Sequence, residues 1–78
     1  MIHELKILPQ YFKEVSNGNK TFELRKNDRN YKIGDTLLLL EFNNGHYTGN
    51  YCNRKITYIL LNYHPYGLAE GFLIMAIK

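Results

Sequence analysis

Tryptophan is absent from this 78-residue chain, and there are only one cysteine and two prolines. The lone Cys52 excludes an internal disulfide and any multi-cysteine zinc site, and it suits a reducing, cytoplasmic setting. No apolar run approaches the ~18 residues of a membrane span, so no membrane association is expected. The opening Met1-Ile2-His3-Glu4 also lacks the basic-then-apolar layout of a secretory signal. Repeats, low-complexity tracts and shifts in composition are missing too, and residues 1–78 read as one domain. Ten Lys and Arg against seven Asp and Glu leave a charge of only +3, which permits an anionic partner without requiring one. Aromatic residues are what the chain has in quantity, with seven Tyr and four Phe. A tyrosine ring either packs with its hydroxyl left wet or stacks on a base, and packing is the commoner use in a small β-rich chain.

Periodicity predicts one helix and several strands. His3, Leu5 and Ile7 alternate with polar residues as in a half-buried strand. Pro9 then opens a helix on which Leu8, Tyr11, Phe12 and Val15 form one apolar stripe, while Gln10, Lys13 and Glu14 face water. Asn17-Gly18 ends it. Residues 21–26 alternate Phe22 and Leu24 against Thr21, Glu23 and Arg25. A polar loop and an Ile33-Gly34-Asp35 turn lead to residues 36–42, where Leu37 to Leu40 run consecutively and predict cover on both faces. Asn44-Gly45 predicts a type I′ hairpin pairing Asn43 with His46 and Phe42 with Tyr47. Residues 55–61 form a further strand, 62–71 a loop and 72–77 a closing strand. The fold class is α+β, mainly β, with five or six strands in a small, partly open barrel and one helix outside it.

Chemistry concentrates in Gly18-Asn19-Lys20-Thr21-Phe22-Glu23-Leu24-Arg25. On a regular strand Glu23 and Arg25 project to one side about 6.6 Å apart. Lys20 has the opposite parity, but it sits at the loop-to-strand junction where parity does not bind it. Two cations and a carboxylate would then share a site. Arg25 would grip a phosphate or carboxylate with its planar fork, Lys20 would act as a point charge, and Glu23 would orient Arg25 or accept from a base or sugar. Spacing alone favours the plainer alternative, a solvated pair worth ~0–1 kcal/mol.

Gly18, Lys20, Glu23 and Arg25 also fit the GxKxxExR signature of the ASCH domain, a branch of the PUA-like superfamily. The wider pattern resembles a small phage and bacterial family catalogued as domain of unknown function 3850. It includes His3-Glu4-Leu5-Lys6-Ile7, Pro9, Tyr11-Phe12, Lys20 to Arg29, Ile33-Gly34-Asp35 and Tyr47-Thr48-Gly49. The resemblance covers essentially the whole chain. It implies a PUA-like (ASCH) β-barrel with a helix closing one side, and beside that helix a cleft for RNA or a nucleotide-like small molecule. The binding residues it implies are Lys20, Glu23 and Arg25, with Gly18 shaping the approach and the Arg29 loop bordering the opening. Some relatives in the superfamily are amidohydrolases with a threonine nucleophile two residues before the signature arginine. Glu23 stands there in this chain, which weakens an enzymatic reading; if there were catalysis, Lys20 and Glu23 would carry it.

Other candidates are weaker. His3 on an apolar strand face reads as a hydrogen-bonded structural histidine, although the family-like start allows it a place near the cleft. His46, Cys52 and His64 lack the close spacing of a metal site, so neither a metal nor a cofactor is expected. Cys52 has no evident base partner. Tyr63, His64, Pro65 and Tyr66 either stack on a base or plug the end of the barrel. Arg54, Lys55 and Lys32 suggest a diffuse basic patch. The expected function is therefore binding of RNA or a nucleotide-like ligand. The alternatives are a small hydrolase (an amidohydrolase on a modified nucleoside, or a ribonuclease) and a phage-type protein-interaction module. An exposed edge strand would let a second copy pair as a weak homodimer.

Overall fold

The computed structural model of the chain describes residues 1–61 and 67–78. The expected 62–71 loop is thus covered only in part, and Tyr63, His64, Pro65 and Tyr66 lie outside the described residues. Strand β1 (Ile2–Ile7) alternates as expected, with His3, Leu5 and Ile7 buried. Leu8 is extended, as a residue before proline prefers, and α1 (Pro9–Ser16) starts on the proline. Only half of the expected apolar stripe enters the core. Val15 is fully buried and Phe12 packs against it, whereas Leu8 and Tyr11 stay exposed. Gly18, at φ +86°, turns the chain out of the helix, and its N–H bonds to the Val15 carbonyl at 3.1 Å. Arg54 donates to that same carbonyl at 3.0 Å, placing a cation at the negative end of the helix. Arg54 therefore belongs to the helix support, not to the basic patch expected on the surface.

The remaining strands are β2 (Phe22–Lys26), β3 (Thr36–Asn43), β4 (His46–Leu61) and β5 (Phe72–Ile77). They join β1 in one five-stranded sheet of order β1-β3-β4-β5-β2. β1 runs parallel to β3, and every other pairing is antiparallel. The Asn44-Gly45 hairpin pairs Asn43 with His46 and Phe42 with Tyr47, as read from the sequence. β4 is a single long strand whose register shifts between Ile56 and Tyr58. The bulge keeps both Ile56 and Ile59 on the inner side although they are three residues apart. Leu37, Leu39, Ile56, Leu73 and Met75 fill that inner side with Val15. Leu38 and Leu40 are only half-buried, so the cover expected on both faces of the leucine run is complete on one face alone.

β1 and β2 are the two edges of this sheet, and no backbone ladder joins them. The sheet curls far enough for side chains to span the gap. Arg25 donates to the Lys6 carbonyl at 2.8 Å and Arg29 to the Glu4 carbonyl at 2.9 Å. Among the described residues the result is a small, mainly β structure with five strands and one short helix, and its sheet is not closed into a barrel. No helix among the described residues is long and apolar enough to cross a membrane.

Candidate ligand-binding site

β2 pairs with β5 so that Glu23 stands opposite the fully buried Met75. This register turns the charged side of β2 inward and leaves Phe22 and Leu24 exposed. An isolated buried carboxylate would be costly, and Glu23, only 3% exposed, is compensated on both oxygens. Lys20 donates to Oε2, and Arg25 Nε donates to Oε1 at 3.0 Å. Lys20 also bonds the Phe22 carbonyl at 2.7 Å, which fixes its ammonium beside the strand despite its opposite parity. Arg25 is held at its other end by the Lys6 carbonyl. The three charged side chains of the signature thus meet at one point, and the solvated-pair alternative does not describe them.

Beside this cluster opens a cleft of about 490 Å³, lined by Lys20, Glu23 and Arg25 and by Ile7, Leu8, Tyr11, Phe22 and Leu24. Its walls explain why Leu8 and Tyr11 are not packed away, since they face the hollow between helix and strand. The Lys20 ammonium lies 4.7 Å from the Phe22 ring centre and 5.7 Å from that of Tyr11, within cation–π range. Lys20 has one N–H beyond its two bonds, and Arg25 has N–H groups beyond those to Glu23 and Lys6. Such a hollow accepts a flat apolar body with an acceptor or anionic group at one end.

The other expected site residues fall around this centre. Gly18 shapes the turn between α1 and Lys20, where the Lys20 N–H returns to the Glu14 carbonyl at 2.9 Å. Arg29 does not line the main cleft but a neighbouring hollow of about 350 Å³ that also contains Lys6, Arg25 and Tyr47. His3 lies away from the cleft. Its Nε2 donates to Asp35 Oδ2 at 2.8 Å and its ring packs on Tyr31, with centres 4.7 Å apart. Asp35 is also reached by the Met1 amine and by the Lys32 N–H. The His3 bond, followed by these others, holds the Asp35 carboxyl below its ordinary range, while burial opposes them. Burial also pushes the Tyr31 hydroxyl and the Cys52 thiol up, which makes Cys52 a poor nucleophile. Among the described residues, no group of three or more His, Cys, Asp or Glu is placed to hold a metal ion.

Six cleft residues were not singled out as site residues by sequence reasoning, and Lys6, Tyr11 and Phe22 are the charged and aromatic ones among them. A signal was available for Tyr11 in its place on the helix stripe just ahead of the charged strand. Lys6 enters only because β1 ends near β2 in space, which no local pattern records.

Residues 2–77 match the family described as a domain of unknown function (DUF3850), and the chain belongs to that family. It is 48% identical over 56 residues to an uncharacterized 12.9 kDa protein in the GpA 3′ region of Escherichia phage P2. That match covers 72% of this chain and 51% of the phage protein, so the chain spans about half the length of the curated relative it matches.

Proposed function

We propose that this chain is an ASCH-type domain of the PUA-like superfamily, its curled sheet a barrel left open between β1 and β2, and that it binds RNA or a nucleotide-like ligand without transforming it. The observation that carries this reading is the meeting of Lys20, Glu23 and Arg25 at the floor of an aromatic-walled cleft. Phe22 and Tyr11 offer rings on which a base stacks, and the spare donors of Arg25 and Lys20 suit a phosphate or a base carbonyl. Glu23 orders the two cations. Each of its oxygens accepts from one of them, which is a positioning role, and this favours binding over hydrolysis.

The test is an NMR titration of isotopically labelled protein with short RNAs and with nucleosides, wild type beside Lys20→Ala and Arg25→Ala. Resonances from residues 18–29 should shift in the wild type, and both variants should weaken the response about tenfold or more. If neither ligand class moves those resonances, the reading is wrong. Turnover of an acylated nucleoside, lost in Lys20→Ala, would replace it with the hydrolase.

A further inference from the structure

The cleft does not end at Arg25. Lys6 and Arg25 also line the 350 Å³ hollow, which shares Glu4, Leu40 and Tyr47 with a third hollow of about 230 Å³. We infer that these hollows form one groove, which runs from the cleft past Lys6 and Glu4 on the free edge of β1 and then across β3 to Gly49 and Asn50 of β4, and that it holds a single-stranded oligonucleotide of several nucleotides, not a lone nucleotide. The inference rests on the nucleotide-binding reading above and extends it.

The spacing of the arginines carries the argument. Arg29 and Arg25 are docked on the carbonyls of residues 4 and 6, at 2.9 and 2.8 Å. Carbonyls two residues apart on a strand edge are about 6.6 Å apart, so the guanidinium groups follow at a similar interval. That interval is close to the one between successive phosphates of an extended nucleic-acid strand. Among the described residues, the Arg29 guanidinium makes a single hydrogen bond, leaving most of its fork for an anion. Rings flank the row at both ends, Phe22 and Tyr11 in the first hollow and Tyr47, 56% exposed, in the others. Between them the Lys6 ammonium sits 4.4 Å from the Phe42 ring centre and 5.9 Å from that of Tyr47. Cations set among exposed rings along one groove are the arrangement that tracks a single strand. Lys6, Lys20, Arg25 and Arg29 outnumber the two carboxylates present, Glu4 and Glu23. A mononucleotide in the first hollow would use neither Arg29 nor Tyr47. The two guanidinium caps also occupy the β1 carbonyls that an added peptide strand would need.

The test compares uridine monophosphate with uridylate and deoxythymidylate hexamers by calorimetry, on wild type, Lys20→Ala, Arg29→Gln, Tyr47→Ala and Glu4→Gln. A hexamer of either sugar should bind at least ~10-fold tighter than the monophosphate at low salt, and added salt should erode the gain. Arg29→Gln and Tyr47→Ala should each cut the hexamer-to-monophosphate ratio about 3–10-fold. Glu4→Gln should raise it about 2-fold by removing a carboxylate from the phosphate path. Amide spectra check folding, and should Arg29→Gln not fold, the exposed Tyr47 decides. Equal affinity for monophosphate and hexamers, or a ratio unmoved in both variants, overturns the groove. The nucleotide reading then survives if Lys20→Ala still weakens monophosphate binding about tenfold or more. Failure of every probe to bind overturns both.

Discussion

Glu23→Gln keeps the shape of the side chain and removes its charge, leaving Lys20 and Arg25 to face each other in the floor of the cleft. Breaking a buried ion pair by deleting one partner costs about 3–5 kcal/mol. The two cations here retain 17% and 24% of their side-chain exposure, so they can turn partly to water. The expected cost therefore falls below that range, at about 2–3 kcal/mol. For a domain of this length 1 kcal/mol moves the melting temperature by about 4–8 °C, and Glu23→Gln should melt roughly 8–24 °C below wild type. Urea denaturation should show a lower midpoint with an unchanged slope. Lys26→Gln, exposed on the same strand, serves as control and should stay within about 0.5 kcal/mol. Replacing the whole cluster with apolar residues (Lys20→Met, Glu23→Leu and Arg25→Met together) should recover part of the loss, because no charge is left stranded. Recovery should be incomplete, since the bond from Arg25 to the Lys6 carbonyl goes as well. A melting temperature for Glu23→Gln within about 2 °C of wild type would mean that the cluster is solvated and the hollow unsheltered.

Other perturbations probe the scaffold. Asp35 has a depressed carboxyl, so the stability it contributes is present above the ordinary carboxylate value and lost as pH falls through its folded one. The difference in melting temperature between wild type and Asp35→Asn should shrink as pH falls below about 4; a difference that widens there would contradict the His3 bond. Gly18→Ala meets no neighbouring atom within 4 Å, so its cost is purely that of a positive φ, about 1–2 kcal/mol by urea denaturation. Arg54→Met removes the charged donor from the Val15 carbonyl and should cost about 1.5–3 kcal/mol, with faster hydrogen exchange at the end of α1.

The elements governed by local chemistry were legible in the sequence. Pro9 and Gly18 delimit the helix, and Asn44-Gly45 sets the hairpin register because a two-residue turn of that type leaves no other pairing. The closing strand emerges at Phe72–Ile77 as expected. Facing was harder to read. Phe22/Leu24 and Glu23/Arg25 have the same period of two, so periodicity alone leaves open which pair turns inward, and the pairing with β5 chose the charged one. The parallel pairing of β1 with β3, the bulge in β4 and the Asp35 partner of His3 join residues distant in the chain, where no pattern of near neighbours reports them. Of the site, the signature identified Lys20, Glu23 and Arg25. The bonds from Arg25 and Arg29 to β1, which tie the charge cluster to the opposite edge, arise only from the curl of the sheet.

The most direct measurement is an isotope-filtered NOE experiment on labelled protein with a bound uridylate hexamer. Contacts from base protons to the rings of Phe22 and Tyr11, with others reaching Tyr47, are the predicted result. Contacts confined to the opposite stretch of the sheet, around Tyr51 and Tyr58, would show that the nucleic acid lies elsewhere and that the cleft is not its site.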